Sequence, residues 1–346
     1  ILQPANLAGG ELWHGGSYDF GTYPRGILLQ SPEDWDGEYG TMSQARWVAE
    51  EGLRRMAGIL EEGGGFERNP HVARAYLLGG FANRMLGELQ CTGTVDGGPE
   101  VPHTEYFTRA DSMFSRAIQV GGAAGVSDIV TAGYGGRASV RAWLGNWGPA
   151  VADAAQVPPG FQYDAIFSTN VGAVSNDLVF ETTSRKEFTV FSTMWVPVTD
   201  DARVPWQIVY DASGQVEVGQ DGETPFYQQL KYLDQDADIE LTKGTEMLVL
   251  RAEERLRGGD IPGMVGFLNQ ARDVYGMDHV TAPTTTADAW EMMRFERYAT
   301  LWMTGRRLHD MRRWDELGGA AADPFAVGRD LCFPISDEER RVNPNL

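Results

Sequence analysis

Residues 295–314 read Phe295-Glu296-Arg297-Tyr298-Ala299-Thr300-Leu301-Trp302-Met303-Thr304-Gly305-Arg306-Arg307-Leu308-His309-Asp310-Met311-Arg312-Arg313-Trp314, and this stretch decides the fold. Together with Met292, the apolar positions Phe295, Tyr298/Ala299 and Leu301/Trp302 recur at helical spacing. Residues 289–314 are therefore predicted to be one long helical segment. Gly305 marks a bend, beyond which Leu308 and Met311 continue the stripe. Asp310, Arg312, Arg313 and Trp314 read as groups that lock this helix against its neighbours and do not touch ligand.

Upstream, Glu246 to Leu256 is a helix, Gly258-Gly259-Asp260 a turn, and Ile261 to Tyr275 its partner. A clearer hairpin covers roughly 128–144 and 147–157. There Gly136 lets two helices approach, Gly145-Asn146 makes the turn, Ala150 and Ala154 line the contact, and Pro158 stops the chain. Three more helices are predicted before it. One begins near Gln44 and runs through Trp47/Val48, Leu53, Met56 and Ile59/Leu60 to Gly63-Gly64-Gly65. The second covers His71 to Gln90 and the third Phe107 to Val120. Ser31-Pro32-Glu33-Asp34 resembles a helix start, and Ser43 is suited to cap a second one. Residues 1–40 otherwise read as irregular. Within 161–240, alternation at Leu178/Phe180, Phe188/Val190, Ile208/Tyr210 and Val216/Val218 suggests a few short strands and long loops inserted between the hairpins of 41–160 and the helices and tail of 241–346. The expected class is mainly α: one domain over 1–346, a tetratricopeptide-like scaffold of helical hairpins with inserted loops and short strands.

Charge excludes whole classes of function. Against 29 Lys plus Arg stand 49 Asp plus Glu, a net charge of −20. Such a field repels nucleic acid and anionic membrane surfaces. No Walker loop, dinucleotide fingerprint, nucleophile elbow or zinc-protease motif occurs, and the five histidines are scattered. Asp34, Asp36 and Glu38 alternate as in calcium loops, but without the terminal bidentate glutamate they read as a helix start. Neither a metal nor any other cofactor is expected. Two cysteines, Cys91 and Cys332, leave open either a long-range disulfide or two separate buried thiols. A bond would close a loop of about 240 residues, worth roughly 5 kcal/mol.

The segment from Glu296 to Trp314 resembles the signature of the SusD/RagB proteins, which runs E-R-R, then E-L and E-G, an Arg, and D-L-R-R-W. Glu296, Arg297, Gly305, Arg307, Asp310, Arg313 and Trp314 carry the match. Arg329-Asp330-Leu331-Cys332-Phe333-Pro334-Ile335 and Asn343-Pro344-Asn345-Leu346 are similar to the family's "FPIP…NPNL" finish. Gly244 to Glu253 is similar to its E-M-x-L-x-x-A-E helix. Gly259-Asp260 and Leu268-Asn269-Gln270-Ala271-Arg272 follow in the family's order. Thr300 and Thr304 stand where the signature has glutamates, so their arginine partners must be paired elsewhere.

The resemblance implies a lipid-anchored protein on the extracellular face of the bacterial outer membrane, its anchoring Cys not in this chain. Such a protein binds oligosaccharide or peptide nutrients without catalysis and passes them to a TonB-dependent transporter of the SusC type. An oxidising location favours the Cys91–Cys332 disulfide, tying the first hairpin to the tail. The family shares no binding motif. Candidate ligand-binding groups are therefore the loop aromatics Trp13, Tyr18, Tyr23, Trp35, Trp195, Trp206 and Tyr227, whose flat faces suit sugar rings. The alternatives are a self-assembling surface protein, forming a lattice or filament, and a hydrolase on an unusual scaffold.

Overall fold

The computed structural model describes residues 2–16, 19–29, 33–60 and 65–346. In chain order the helices are α1 (Leu2–Ala8), α2 (Glu33–Leu60), α3 (Pro70–Leu89), α4 (Thr104–Ala124), α5 (Ser127–Trp143), α6 (Trp147–Ala154), α7 (Asp177–Thr182), α8 (Gly244–Arg257), α9 (Ile261–Val274), α10 (Thr286–Thr300), α11 (Arg307–Leu317) and α12 (Asp337–Val342). The strands are β1 (Trp13–His14), β2 (Thr92–Gly93), β3 (Val101–Pro102), β4 (Gln162–Ala165), β5 (Phe188–Thr189), β6 (Trp206–Ile208), β7 (Tyr227–Gln229) and β8 (Ile239–Lys243). They form the antiparallel pairs β1–β5, β2–β3, β4–β8 and β6–β7. The protein is mainly α. Among the described residues no helix is long and apolar enough to cross a membrane.

Consecutive helices pack as antiparallel neighbours from α2 through α6. Then α8 packs on α6 and α9, and α10 on α8. Close approach is allowed by missing side chains. A Cβ at Gly80 or Gly136 would fall within 2.6 Å or 2.4 Å of the Phe114 ring. Ala138, Ala142, Ala150 and Ala154 fill the α5–α6–α8 core with Met247 and Leu250. Asn69 caps α3 through its side chain and Asp260 caps α9, each ahead of Pro in the first turn.

Five expectations need correction. Residues 2–8 are helical and almost wholly buried, not irregular; α1 is specified by what covers it. The helix expected from Gln44 is already under way at Glu33, while Ser31 and Pro32 lie outside the described residues. Its N-terminal half carries Trp35, Tyr39 and Met42 into the core, and Trp35 stacks on Phe333 with centroids 4.1 Å apart. Burial there overrides Gly37 and Gly40. Conversely Trp47, Val48 and Ile59, expected on the buried stripe, are exposed. Leu178 and Phe180 sit in α7, where a helical turn replaces the expected strand. Finally, 289–314 is two helices. The turn between them holds Met303 at φ 61° and Gly305 at φ 72°, both in the left-handed region. Cys91 and Cys332 are disulfide-bonded.

Candidate functional site

Charges of the C-terminal segment meet inside the molecule. Arg297 Nε donates to Asp310 Oδ2 at 2.7 Å, and Arg313 Nε donates to Asp310 Oδ1 at 2.8 Å. Glu253 accepts from Arg313 Nη1 at 2.5 Å and from the Trp314 indole at 2.9 Å. Burial would raise the Glu253 carboxyl, but Arg313, Arg257 and Arg297 hold it down at about 2. Glu296 takes Arg203 at 2.7 Å and Arg272 at 2.6 Å. Arg203 also donates to Thr300 Oγ1 at 3.3 Å. Arg307 Nη1 bonds the carbonyl of Gly10 at 3.2 Å, and the Gly305 amide donates to Asn6 Oδ1 at 2.9 Å. A Cβ at Gly305 would come within 2.9 Å of Leu2, besides being strained by its φ.

The turn at 304–306 lines a cleft of about 420 Å³ together with Gln3, Asp177, Phe167, Leu241, Arg84 and Glu88. Arg84 Nη1 donates to the Leu241 carbonyl at 2.8 Å. Burial, reinforced by Arg306, pushes Arg84 down to about 10. Arg306 lies 3.0 Å from both Glu88 and Glu246. Glu246 would be raised by burial but is held below the usual range by Arg306, Arg84 and Arg297. Glu240, on the rim, would likewise be raised by burial but is held well down by Lys231 and Lys243. Acids tied up in this way suit holding a polar group and are poor proton donors. Behind the turn sits Glu11, whose carboxyl burial raises to about 8 although Arg307 and Lys231 oppose it; it accepts from the Met303 amide at 3.3 Å.

Among the candidate aromatics the structure separates two groups. Tyr23, Trp35 and Trp195 are 0% exposed and belong to the core, so they offer no face to a ligand; Tyr18 lies outside the described residues. Trp13, Trp206 and Tyr227 are half-buried. Trp206 and Tyr227 are diagonal neighbours across the β6–β7 ribbon, where Trp206 lies opposite Gln229 and Tyr227 opposite Ile208, and their rings stack 5.5 Å apart and 8° from parallel. The Trp206 indole is fixed by a 2.8 Å hydrogen bond to the Val198 carbonyl. Phe191, which no sequence pattern marked, meets Tyr227 edge-on at 5.4 Å. Trp13 pairs with Thr189, whose hydroxyl accepts the Tyr227 amide at 2.8 Å, so β1, β5 and β7 are knitted together. The result is an aromatic platform of Trp206, Tyr227 and Phe191 in the inserted region, tied to β1 through Thr189. Among the described residues no three His, Cys, Asp or Glu side chains are grouped to hold a metal ion.

No family model matches the sequence, and no curated protein is significantly similar to it. Solved structures do match. A SusD superfamily protein from Bacteroides vulgatus aligns with a TM-score of 0.68 at 14% identity, over 99% of this chain and 91% of its own. A SusD-like carbohydrate-binding protein from the same organism aligns with a TM-score of 0.64 at 15% identity, over 100% and 91%. A chitin-binding SusD homolog from Flavobacterium johnsoniae aligns with a TM-score of 0.62 at 12% identity, over 90% and 80%. At such identities the shared property is the path of the backbone, and by that path this chain has the SusD fold.

Proposed function

We propose that this protein binds oligosaccharide without catalysis on the extracellular face of a bacterial outer membrane and hands it to a TonB-dependent transporter of the SusC type. The observation that carries the reading is the match over nearly the whole chain to SusD-like proteins, among them ones described as carbohydrate-binding and chitin-binding. The site chemistry agrees. The stacked Trp206–Tyr227 pair, held in place by its neighbours, offers a preformed aromatic face to the C–H face of a sugar ring. The cleft behind the 304–306 turn offers polar groups already held in place by ion pairs. Attachment to the membrane is by a lipid anchor.

The test is affinity capture of the tagged protein from detergent-solubilised native membranes, followed by mass spectrometry. A large TonB-dependent β-barrel in near-equal amount is the expected result. Recovery of only further copies of this chain would overturn the delivery role and make surface assembly the better account.

A further inference from the structure

Trp47 lies on α2 at a position whose spacing suggests core, yet its side chain is 49% exposed. Beside it is a concavity of about 340 Å³, lined also by Gln44, Arg46, Thr94, Asp96 and Glu339. That volume is at the lower end for small-molecule sites, about 300–1,000 Å³. Three chain segments build it: α2, the loop after Cys91, and α12.

These segments are clamped. The disulfide joins Cys91 to Cys332, and the Cys91 amide donates to the Phe333 carbonyl at 2.9 Å. Thr94 Oγ1 donates to Glu339 Oε1 at 2.7 Å, and Asn343 Nδ2 donates to the same oxygen at 2.9 Å. Arg46, buried at the base, donates to Glu50 at 2.6 Å and to Asp96 Oδ1 at 2.7 Å. Asp96 is held at φ 51°, a left-handed conformation that a non-glycine residue adopts at a cost. One oxygen of each carboxylate is thus occupied. Oδ2 of Asp96 and Oε2 of Glu339 have no hydrogen-bond partner among the described residues, and both side chains line the concavity together with Trp47.

We propose that this is a second glycan site, separate from the Trp206–Tyr227 platform, and that it takes a neutral sugar unit. The apolar face of a pyranose lies on Trp47, and its hydroxyls donate to Asp96 and Glu339. A carboxylate accepts two hydroxyl hydrogen bonds, and charge-assisted bonds are stronger than neutral ones. The same two acids, in a chain of net charge −20, repel uronic acids and sulfated sugars. The clamping means that little ordering remains to be done on binding.

The test uses the full chain in isothermal titrations with maltohexaose, cellohexaose, xylohexaose and chitohexaose, with oligogalacturonate as the acidic control. NMR follows the indole N–H signal of Trp47, assigned by its loss in Trp47→Ala. At least one neutral oligosaccharide shifts that signal and oligogalacturonate does not. Trp47→Ala and Asp96→Asn each weaken that binding about tenfold, whereas Trp47→Phe retains most of it. In Trp206→Ala the Trp47 shift persists. The proposal is overturned if no neutral oligosaccharide moves the Trp47 signal, if Trp47→Ala titrates like the parent protein, or if Trp206→Ala abolishes the shift. In the second case glycan binding at the platform still stands.

Discussion

Arg297 and Asp310 form an ion pair that solvent does not reach, the guanidinium 0% and the carboxylate 1% exposed, with Nε donating to Oδ2 at 2.7 Å. Arg313 shares the same carboxylate and is also paired with the buried Glu253, so the two cations and two acids form one connected set. Removing one partner of such a set is far costlier than removing the set. Asp310→Asn is expected to destabilise the protein by about 3–5 kcal/mol in urea unfolding, although it deletes no volume. Replacement of Arg297, Asp310, Arg313 and Glu253 together by apolar residues should lose less than the single change. If the single change proves neutral, the network is not what holds α11 in place.

Glu11 gives the pH dependence of stability a recognisable component. Burial raises its carboxyl from the ordinary value to about 8, so between about pH 4.5 and 8 the folded protein holds a proton that the unfolded chain has released. Stability from this group is therefore greatest at low pH and falls as pH rises, by up to ~1.4 kcal/mol per pH unit. Glu11→Gln should erase that component. Urea midpoints compared across the range should show the variant gaining on the parent as pH approaches 8, and a constant difference would refute the assignment.

Reduction of Cys91–Cys332 releases a constraint on the unfolded chain spanning 241 residues. Loop entropy values it at roughly 5 kcal/mol. A Cys91→Ser/Cys332→Ser variant is expected to unfold at markedly lower denaturant concentration. It should also lose glycan binding at Trp47 before binding at Trp206, because only the former site straddles the bond.

Trp206→Ala removes half of the stacked pair while leaving Tyr227 tethered by its backbone. Glycan affinity at the platform should drop about tenfold, measured by titration with the best ligand from a glycan array. Trp195→Phe, a change in the core, should leave that affinity unaltered and lower the melting temperature instead.

What could be read from the sequence follows from where the stabilising information resides. The α5–α6 and α8–α9 hairpins carry it locally, in small residues at the contact, Gly at the turns and Pro at the boundaries, and both are found where expected. The segment from Glu296 to Trp314 was legible as a pattern but not as geometry. Nothing local shows that Arg203, 93 residues upstream, reaches Glu296. α1, the first turns of α2 and the β4–β8 pair are held by tertiary contacts, and propensity alone misses them. The aromatics of the loops divided on the same ground. Trp35 and Trp206 both sit in Gly- or Pro-containing surroundings and both stack on another ring, yet only Trp35 is enclosed in the core, against Phe333, while Trp206 stays half-buried. Trp47 failed in the opposite sense: a helical stripe predicts burial only if something arrives to cover it.

The amide of Gly305 is capped by the side chain of Asn6, 299 residues earlier in the chain. α1 packs on residues 19–25 and Gln3 reaches Asp177, but its surroundings are complete only when the segment around Gly305 has been made. At roughly 5–20 residues per second, that interval during synthesis is about 15–60 s. For that time the contact between α1 and this turn is unmade. Closure of the domain is a late event, with the turn at Gly305 as its latch.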